Sequence, residues 1–133
     1  MKKILYLILL IPIISISQTL KSFESSDGTE IFYEENGQGQ TLILLSGGPG
    51  LNPDYLKEFS TTLSKKYRCI TLHQRGTGKS ILEKVNAKTV NVNMYIEDLN
   101  GLYKELGNEK LILVGHSWGG MLSFSYAANE PEK

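Results

Sequence analysis

The sequence is poor in cysteine and proline and has no excess of either charge. Cys69 is the one cysteine among 133 residues, so no disulfide forms within the chain, and its apolar neighbours predict a buried core residue. Lys and Arg number 14, as do Asp and Glu. We expect no nucleic-acid partner, because such proteins usually carry a basic excess. No cluster of His, Asp and Glu has ligand spacing, so we expect no metal and no cofactor.

The first residues have the composition of a secretory signal peptide. Two lysines precede an apolar run over residues 4–16, which ends in small residues up to Ser17. The run is shorter than the roughly 20 residues that span a bilayer, and it contains Pro12. We expect residues 1–17 to be cleaved near Ser17 and residues 18–133 to be periplasmic or extracellular, with membrane contact only during export. An uncleaved anchor is the alternative.

Strand and helix patterns alternate along the rest of the chain. Residues 22–25 and 29–34 flank the turn signal Asp27-Gly28 and predict a β-hairpin. The apolar runs TLILL, YRCITLH and KLILV predict buried strands. Apolar residues at helical spacing predict helices in the segments between and after these runs, at residues 52–67, 93–107 and 118–131. The fold class is α/β: one mostly parallel sheet flanked by helices and preceded by an N-terminal β-hairpin.

The segment GTGKS has the letters that close a nucleotide-binding loop. A phosphate loop also needs a glycine five positions before Gly78, and His73 stands there. Without that glycine the backbone N–H groups cannot wrap around a phosphate. We therefore expect no nucleotide partner.

The segment Gly115-His116-Ser117-Trp118-Gly119 fits the pattern G-x-S-x-G between a predicted strand and a predicted helix. A serine on such a sharp turn is lifted above the sheet edge, and the N–H groups that begin the helix face developing negative charge. The pattern predicts Ser117 as a catalytic nucleophile. The alternative is a glycine-rich turn with an idle serine.

A second glycine-rich loop, SGGPG at residues 46–50, follows the first buried strand. A serine hydrolase needs a second N–H donor for the oxyanion, usually from a loop after an earlier strand. Gly47 and Gly48 let the backbone approach a substrate oxygen closely. We predict the backbone N–H groups of Gly48 and Trp118 as the oxyanion hole, with Gly47 supporting the loop.

In this order, GGPG, QRGTGKS and GHSWGG resemble the motifs of the proline iminopeptidase group of α/β-hydrolases. GMLSFSYAANEPEK is similar to that family's helix after the nucleophile. The resemblance implies a serine aminopeptidase that removes an N-terminal residue, often proline, from a small peptide through an acyl-enzyme on Ser117. It also implies that Arg75 braces loops near the site. Ser46 and His73 depart from the family pattern, which has His and Asp there.

The resemblance also implies parts that residues 1–133 do not contain. The triad of this fold runs Ser, then Asp or Glu, then His, whereas His73 and His116 both precede Ser117. For His73 a structural role at a strand end is favoured over that of a base. We expect the N-terminal part of an α/β-hydrolase domain, truncated before the acid, base and lid, with negligible turnover alone. An esterase or lipase-like enzyme acting on an ester, or a non-catalytic fragment, are the alternatives.

Overall fold

A computed structural model describes residues 18–133 of the chain. The predicted signal peptide, residues 1–17, and its cleavage site lie outside the described residues. None of the helices in the described part has the length and hydropathy to cross a membrane. The strands are β1 (Thr19–Glu24), β2 (Glu30–Asn36), β3 (Thr41–Leu45), β4 (Arg68–Leu72) and β5 (Ile112–Gly115). The helices are α1 (Lys57–Leu63), which follows a 3₁₀ turn over Pro53–Leu56, α2 (Val92–Glu105) and α3 (Trp118–Asn129).

The predicted hairpin is confirmed and belongs to the main sheet. β1 pairs antiparallel with β2 around the turn at Gly28, whose φ is 80°. β2 in turn pairs antiparallel with β4, and the strand order is β1-β2-β4-β3-β5. The sheet is therefore mixed: the parallel part predicted from the sequence is extended by the hairpin on one side.

The parallel part of the sheet brings three strand ends to one edge. β3 lies between β4 and β5 and runs parallel to both. At their carboxyl ends Leu45 is in register with Leu72 and with Gly115. The loops that follow these strands therefore start side by side, at the edge where open α/β sheets place their functional residues.

The core lies between the sheet and helices α2 and α3. All five residues of β3 are buried, which explains its continuous apolar run. α2 contributes Tyr95, Leu99 and Leu102 to the same apolar cluster, and α3 contributes Leu122 and Tyr126. Burial of this cluster is the main stabilising contribution to the fold.

The segment around α1 departs from the predicted helix over residues 52–67. Asn52 caps its first turn, since the Asn52 side chain accepts from the Asp54 N–H at 3.1 Å. The first turn is 3₁₀, and the α-helix ends at Leu63. Tyr55 and Phe59, two of the apolar residues whose spacing predicts the helix, are each 46% exposed, and the segment buries Pro53 and Ser60 instead.

Strand β5 begins two residues later than predicted and lies at one end of the sheet in the described residues. The helix α3 that follows it keeps large apolar side chains exposed beside this edge, Met121 and Phe124 among them.

Candidate active site

Ser117 occupies the turn between β5 and α3 in a strained backbone conformation. Its φ is 53° and its ψ is −115°, and among the described residues only Asn108 is another non-glycine with positive φ. Such a conformation is costly for a residue with a side chain, and it is retained at functional turns. Ser117 is exposed, so its hydroxyl is accessible at the sheet edge.

The glycines on either side of Ser117 are required by close packing. A Cβ atom at Gly115 would lie 2.2 Å from the Gly119 backbone, and one at Gly119 would lie 2.3 Å from the Leu45 carbonyl oxygen. The His116 N–H also donates to this Leu45 oxygen, at 3.0 Å. The start of α3 therefore lies directly against the carboxyl end of β3.

The loop 46–50 lies beside the Ser117 turn. A Cβ atom at Gly47 would lie 3.3 Å from the Ser117 Cβ and 2.9 Å from His116 Nδ1. Gly48 follows with a φ of 55°. No acceptor within residues 18–133 receives a hydrogen bond from the backbone N–H of Gly48 or of Trp118. The structure thus brings the two predicted loops together; the oxyanion role of these two N–H groups stays a prediction.

Tyr55 links the same two loops and was missed as a site residue. Its hydroxyl oxygen accepts from the Gly47 N–H at 2.7 Å and lies 2.9 Å from His116 Nδ1. The Tyr55 and His116 rings also meet edge to face, with centroids 5.7 Å apart. The sequence showed Tyr55 only as an apolar position of a helix, and its spacing carries no sign of this contact.

Gln74 makes a second link between the loops. Its Nε2 donates to the Ser46 carbonyl oxygen at 2.8 Å, and its Oε1 accepts from Trp118 Nε1 at 3.0 Å. Gln74 lies within the QRGTGKS motif, but the sequence alone gave no partner for its side chain.

The comparison with known proteins decides the family of this chain. Residues 40–133 match the family model described as alpha/beta hydrolase fold. The chain belongs to the α/β-hydrolase family.

Two named proteins are similar in sequence to most of this α/β-hydrolase chain. A proline iminopeptidase of Clostridioides difficile is 36% identical over 94 residues, which are 70% of this chain and 32% of that protein. A cis-3-alkyl-4-alkyloxetan-2-one decarboxylase of Shewanella oneidensis is 30% identical over 114 residues, covering 85% of this chain and 36% of the relative. The chain therefore spans about a third of the length of these relatives, and the resemblance to the proline iminopeptidase group is confirmed for this N-terminal portion.

The solved structure of epoxide hydrolase VrEH1 from Vigna radiata has the same fold. It superposes with a TM-score of 0.78 at 23% identity, over 87% of this chain and 36% of that one. At this identity the likeness establishes the fold alone, and the α/β-hydrolase fold class predicted from the sequence is confirmed.

Arg75 of this α/β-hydrolase chain is fully buried in an ionic cluster. Its guanidinium donates to Asp98 at 2.6 and 2.7 Å, to Asp27 at 2.9 Å and to the Thr89 carbonyl oxygen at 3.0 Å. These bonds join the hairpin turn, the loop before α2, and α2 itself. The Arg75 hydrogen bond holds the pKa of Asp27 at about 2, well below its usual value. The loops that Arg75 contacts are thus different from the two beside Ser117.

His73 and Ser46, the two departures from the family pattern, are both buried. His73 Nδ1 accepts from the Lys79 N–H at 3.2 Å, and its Nε2 lies 3.7 Å from Glu34 Oε1. Burial lowers the pKa of His73, which favours the neutral imidazole. A Cβ atom at Gly78 would lie 2.1 Å from His73 Nδ1, so the second glycine of GTGKS makes room for this ring.

No group of His, Cys, Asp and Glu among residues 18–133 has the arrangement of a metal site.

Proposed function

We propose that the protein is a serine hydrolase in which the Ser117 hydroxyl attacks a carbonyl carbon and forms an acyl-enzyme. The observation that carries the proposal is the strained, exposed Ser117 at a sheet edge, with the Gly47 backbone packed against it. Strain of this kind is stable only where the surrounding packing fixes it, and here Gly115 and Gly119 fix it. The serine thus stands in a fixed position with its oxygen accessible to a substrate.

The proposed oxyanion hole consists of the backbone N–H groups of Gly48 and Trp118. Attack on a carbonyl carbon moves negative charge onto the carbonyl oxygen, and two fixed donors stabilise that charge without rearranging. Trp118 is also the first residue of α3, so the N-terminal end of the helix dipole faces the same point. Loss of one such donor in other serine enzymes slows turnover by about 10²- to 10³-fold.

A base must take the Ser117 proton, and the two histidines of the chain are unsuited to this in their present contacts. His116 Nδ1 is engaged by the Tyr55 hydroxyl, and His73 is buried beside Glu34. We propose that the base and its carboxylate partner come from the remainder of the full-length gene product, since the chain spans about a third of its relatives.

The substrate we propose is a small peptide with a free N-terminal residue, often proline. The support is the set of three motifs in the order found in proline iminopeptidases, together with the relative of that name at 36% identity. The relative named as an oxetan-2-one decarboxylase is a reason to include non-peptide carbonyl compounds, esters among them, in the assay. The composition of residues 1–17 adds export to the proposal, which N-terminal sequencing of the mature protein tests.

The test is hydrolysis by the full-length gene product of proline p-nitroanilide and of p-nitrophenyl acetate. We expect the anilide to be cleaved with the higher kcat/KM, and Ser117→Ala to reduce the rate by several powers of ten. Ser125→Ala, the same change on α3 two turns further along, is the matched control and should keep full activity. Cleavage of the ester alone would contradict the aminopeptidase and leave the serine hydrolase standing. Full activity in Ser117→Ala would contradict both.

A further inference from the structure

The Gln74 side chain is enclosed between the two loops of the candidate site. Gln74 is only 1% exposed. Its Nε2 donates to the Ser46 carbonyl oxygen at 2.8 Å and to the Ser46 hydroxyl at 3.0 Å, while its Oε1 accepts from the Trp118 indole at 3.0 Å. Both hydrogens of the amide and its oxygen therefore have partners, all of them in the two loops.

The chemistry of the partners fixes the orientation of this amide. A carbonyl oxygen only accepts and an indole N–H only donates, so Nε2 must face Ser46 and Oε1 must face Trp118. The Ser46 hydroxyl donates onward to the Leu51 carbonyl oxygen at 3.3 Å, which leaves its oxygen free to accept from Gln74. Only a side chain with a donor at one end and an acceptor at the other fits this position.

We propose that Gln74 is a positioning residue that sets the distance between the two halves of the oxyanion hole. Ser46 lies two residues before Gly48, and Trp118 is itself the other proposed donor, so one amide links the chain segments that carry the two donors. The inference rests on the proposed function, because Gln74 can affect catalysis only if the N–H groups of Gly48 and Trp118 form an oxyanion hole.

The hydrogen bond between Gln74 and Trp118 should affect the rate of catalysis. The Trp118 indole also meets the Tyr95 ring edge to face, with the ring centroids 5.5 Å apart, so Gln74 and Tyr95 both contact it. A displacement of about 1 Å between reacting groups can cost about 100-fold in rate. Loss of the Gln74 link should thus lower kcat while leaving KM nearly unchanged, because it disturbs a contact made in the transition state.

The first variant is Gln74→Met in the full-length gene product, which keeps the length of the side chain and removes both hydrogen-bonding ends. We expect two rates to fall about 10- to 100-fold: kcat for proline p-nitroanilide and the rate of fluorophosphonate labelling of Ser117. KM should stay within about twofold of the value for the unsubstituted protein. The indole N–H resonance of Trp118, assigned with Trp118→Phe, should move upfield and exchange faster with water. Gln38→Met, the same change at an exposed turn, is the matched control.

The second variant is Gln74→Glu, which keeps the proposal testable if Gln74→Met fails to fold. An ionised carboxylate has no hydrogen for the Ser46 oxygen, but a protonated carboxyl group has one and still accepts from the indole. Burial raises the pKa of an introduced carboxyl group, so protonation should occur at accessible pH. We expect the labelling rate of Gln74→Glu, relative to the unsubstituted protein at each pH, to rise as the pH is lowered.

Two results would overturn the positioning role. One is labelling of Gln74→Met at the unsubstituted rate; the other is an indole resonance unchanged by the substitution. A relative rate for Gln74→Glu that does not depend on pH would count against it equally. These results are distinct from failure of the proposed function, in which the unsubstituted protein itself is not labelled at Ser117.

Discussion

At the scale of single residues, the site depends on how closely the backbones of β3 and α3 approach each other. Gly119 is buried, and the Leu45 carbonyl oxygen occupies the space that a side chain would need. Gly120, the next residue, has no such neighbour: a Cβ atom there would have its nearest contact at 3.5 Å, with the Gly115 oxygen. A side chain at position 119 would therefore clash with β3, whereas a methyl group at position 120 has room.

The first prediction compares alanine at these two positions. Gly119→Ala should reduce the free energy of unfolding by about 3 kcal/mol, because the methyl group forces α3 away from β3. Gly120→Ala should leave it unchanged or raise it by up to about 1 kcal/mol, since alanine favours a helix more than glycine does. Urea unfolding of the purified variants measures both. Equal stability of the two variants would show that the contact with Leu45 does not form.

Some residues of the candidate site could be predicted from the sequence and others could not. Ser117 and its flanking glycines were found because the turn imposes a fixed local pattern. Tyr55 and Gln74 were not, because their partners at Gly47, His116, Ser46 and Trp118 are separated from them by up to 61 residues in the chain. Only the register of the parallel strands brings those segments together.

At the scale of elements, the order of strands and helices follows from the periodicity of apolar residues. The segment around α1 is an exception, because the apolar side chains of Tyr55 and Phe59 are each 46% exposed while Pro53 and Ser60 are buried. The sequence predicted the parallel sheet, but it did not show that β2 pairs with β4, since hairpins carry no signal for the strand they join.

The second prediction concerns the start of α2, which carries Asp98 to the Arg75 cluster. The Asn91 side chain accepts from the Met94 N–H at 3.1 Å and donates to the Ala87 carbonyl oxygen at 2.9 Å. Asn91→Ala should cost about 1 kcal/mol of stability, the usual value of a helix cap. Asn93→Ala, an exposed change in the same turn, should have an effect within about 0.5 kcal/mol. Thermal unfolding compares them, and equal melting temperatures would refute the cap.

At the scale of the whole molecule, the Arg75 cluster couples folding to pH. Asp27 has its pKa lowered to about 2 by Arg75, whereas an aspartate in an unfolded chain titrates near 3.9. A lowered pKa in the folded state means that the ionised group stabilises the fold above about pH 4. That contribution is lost as the pH falls from about 4 to about 2.

The third prediction follows from this sign. The unsubstituted protein should lose stability between pH 4 and pH 2 more steeply than Asp27→Asn, which has no proton to take up at this position. Urea unfolding at several pH values gives the two slopes. Parallel curves for the two proteins would mean that Arg75 does not hold the Asp27 carboxylate in solution.

The central claim, that Ser117 is a nucleophile, is tested most directly by a fluorophosphonate probe on the folded full-length gene product. We predict one label per molecule, found on Ser117 by mass spectrometry, with none in Ser117→Ala and full labelling in Ser125→Ala. Heat-denatured protein should not react, because the strained turn and the loop 46–50 are then no longer together. A label on a different serine, or no label on the folded protein, would contradict the account.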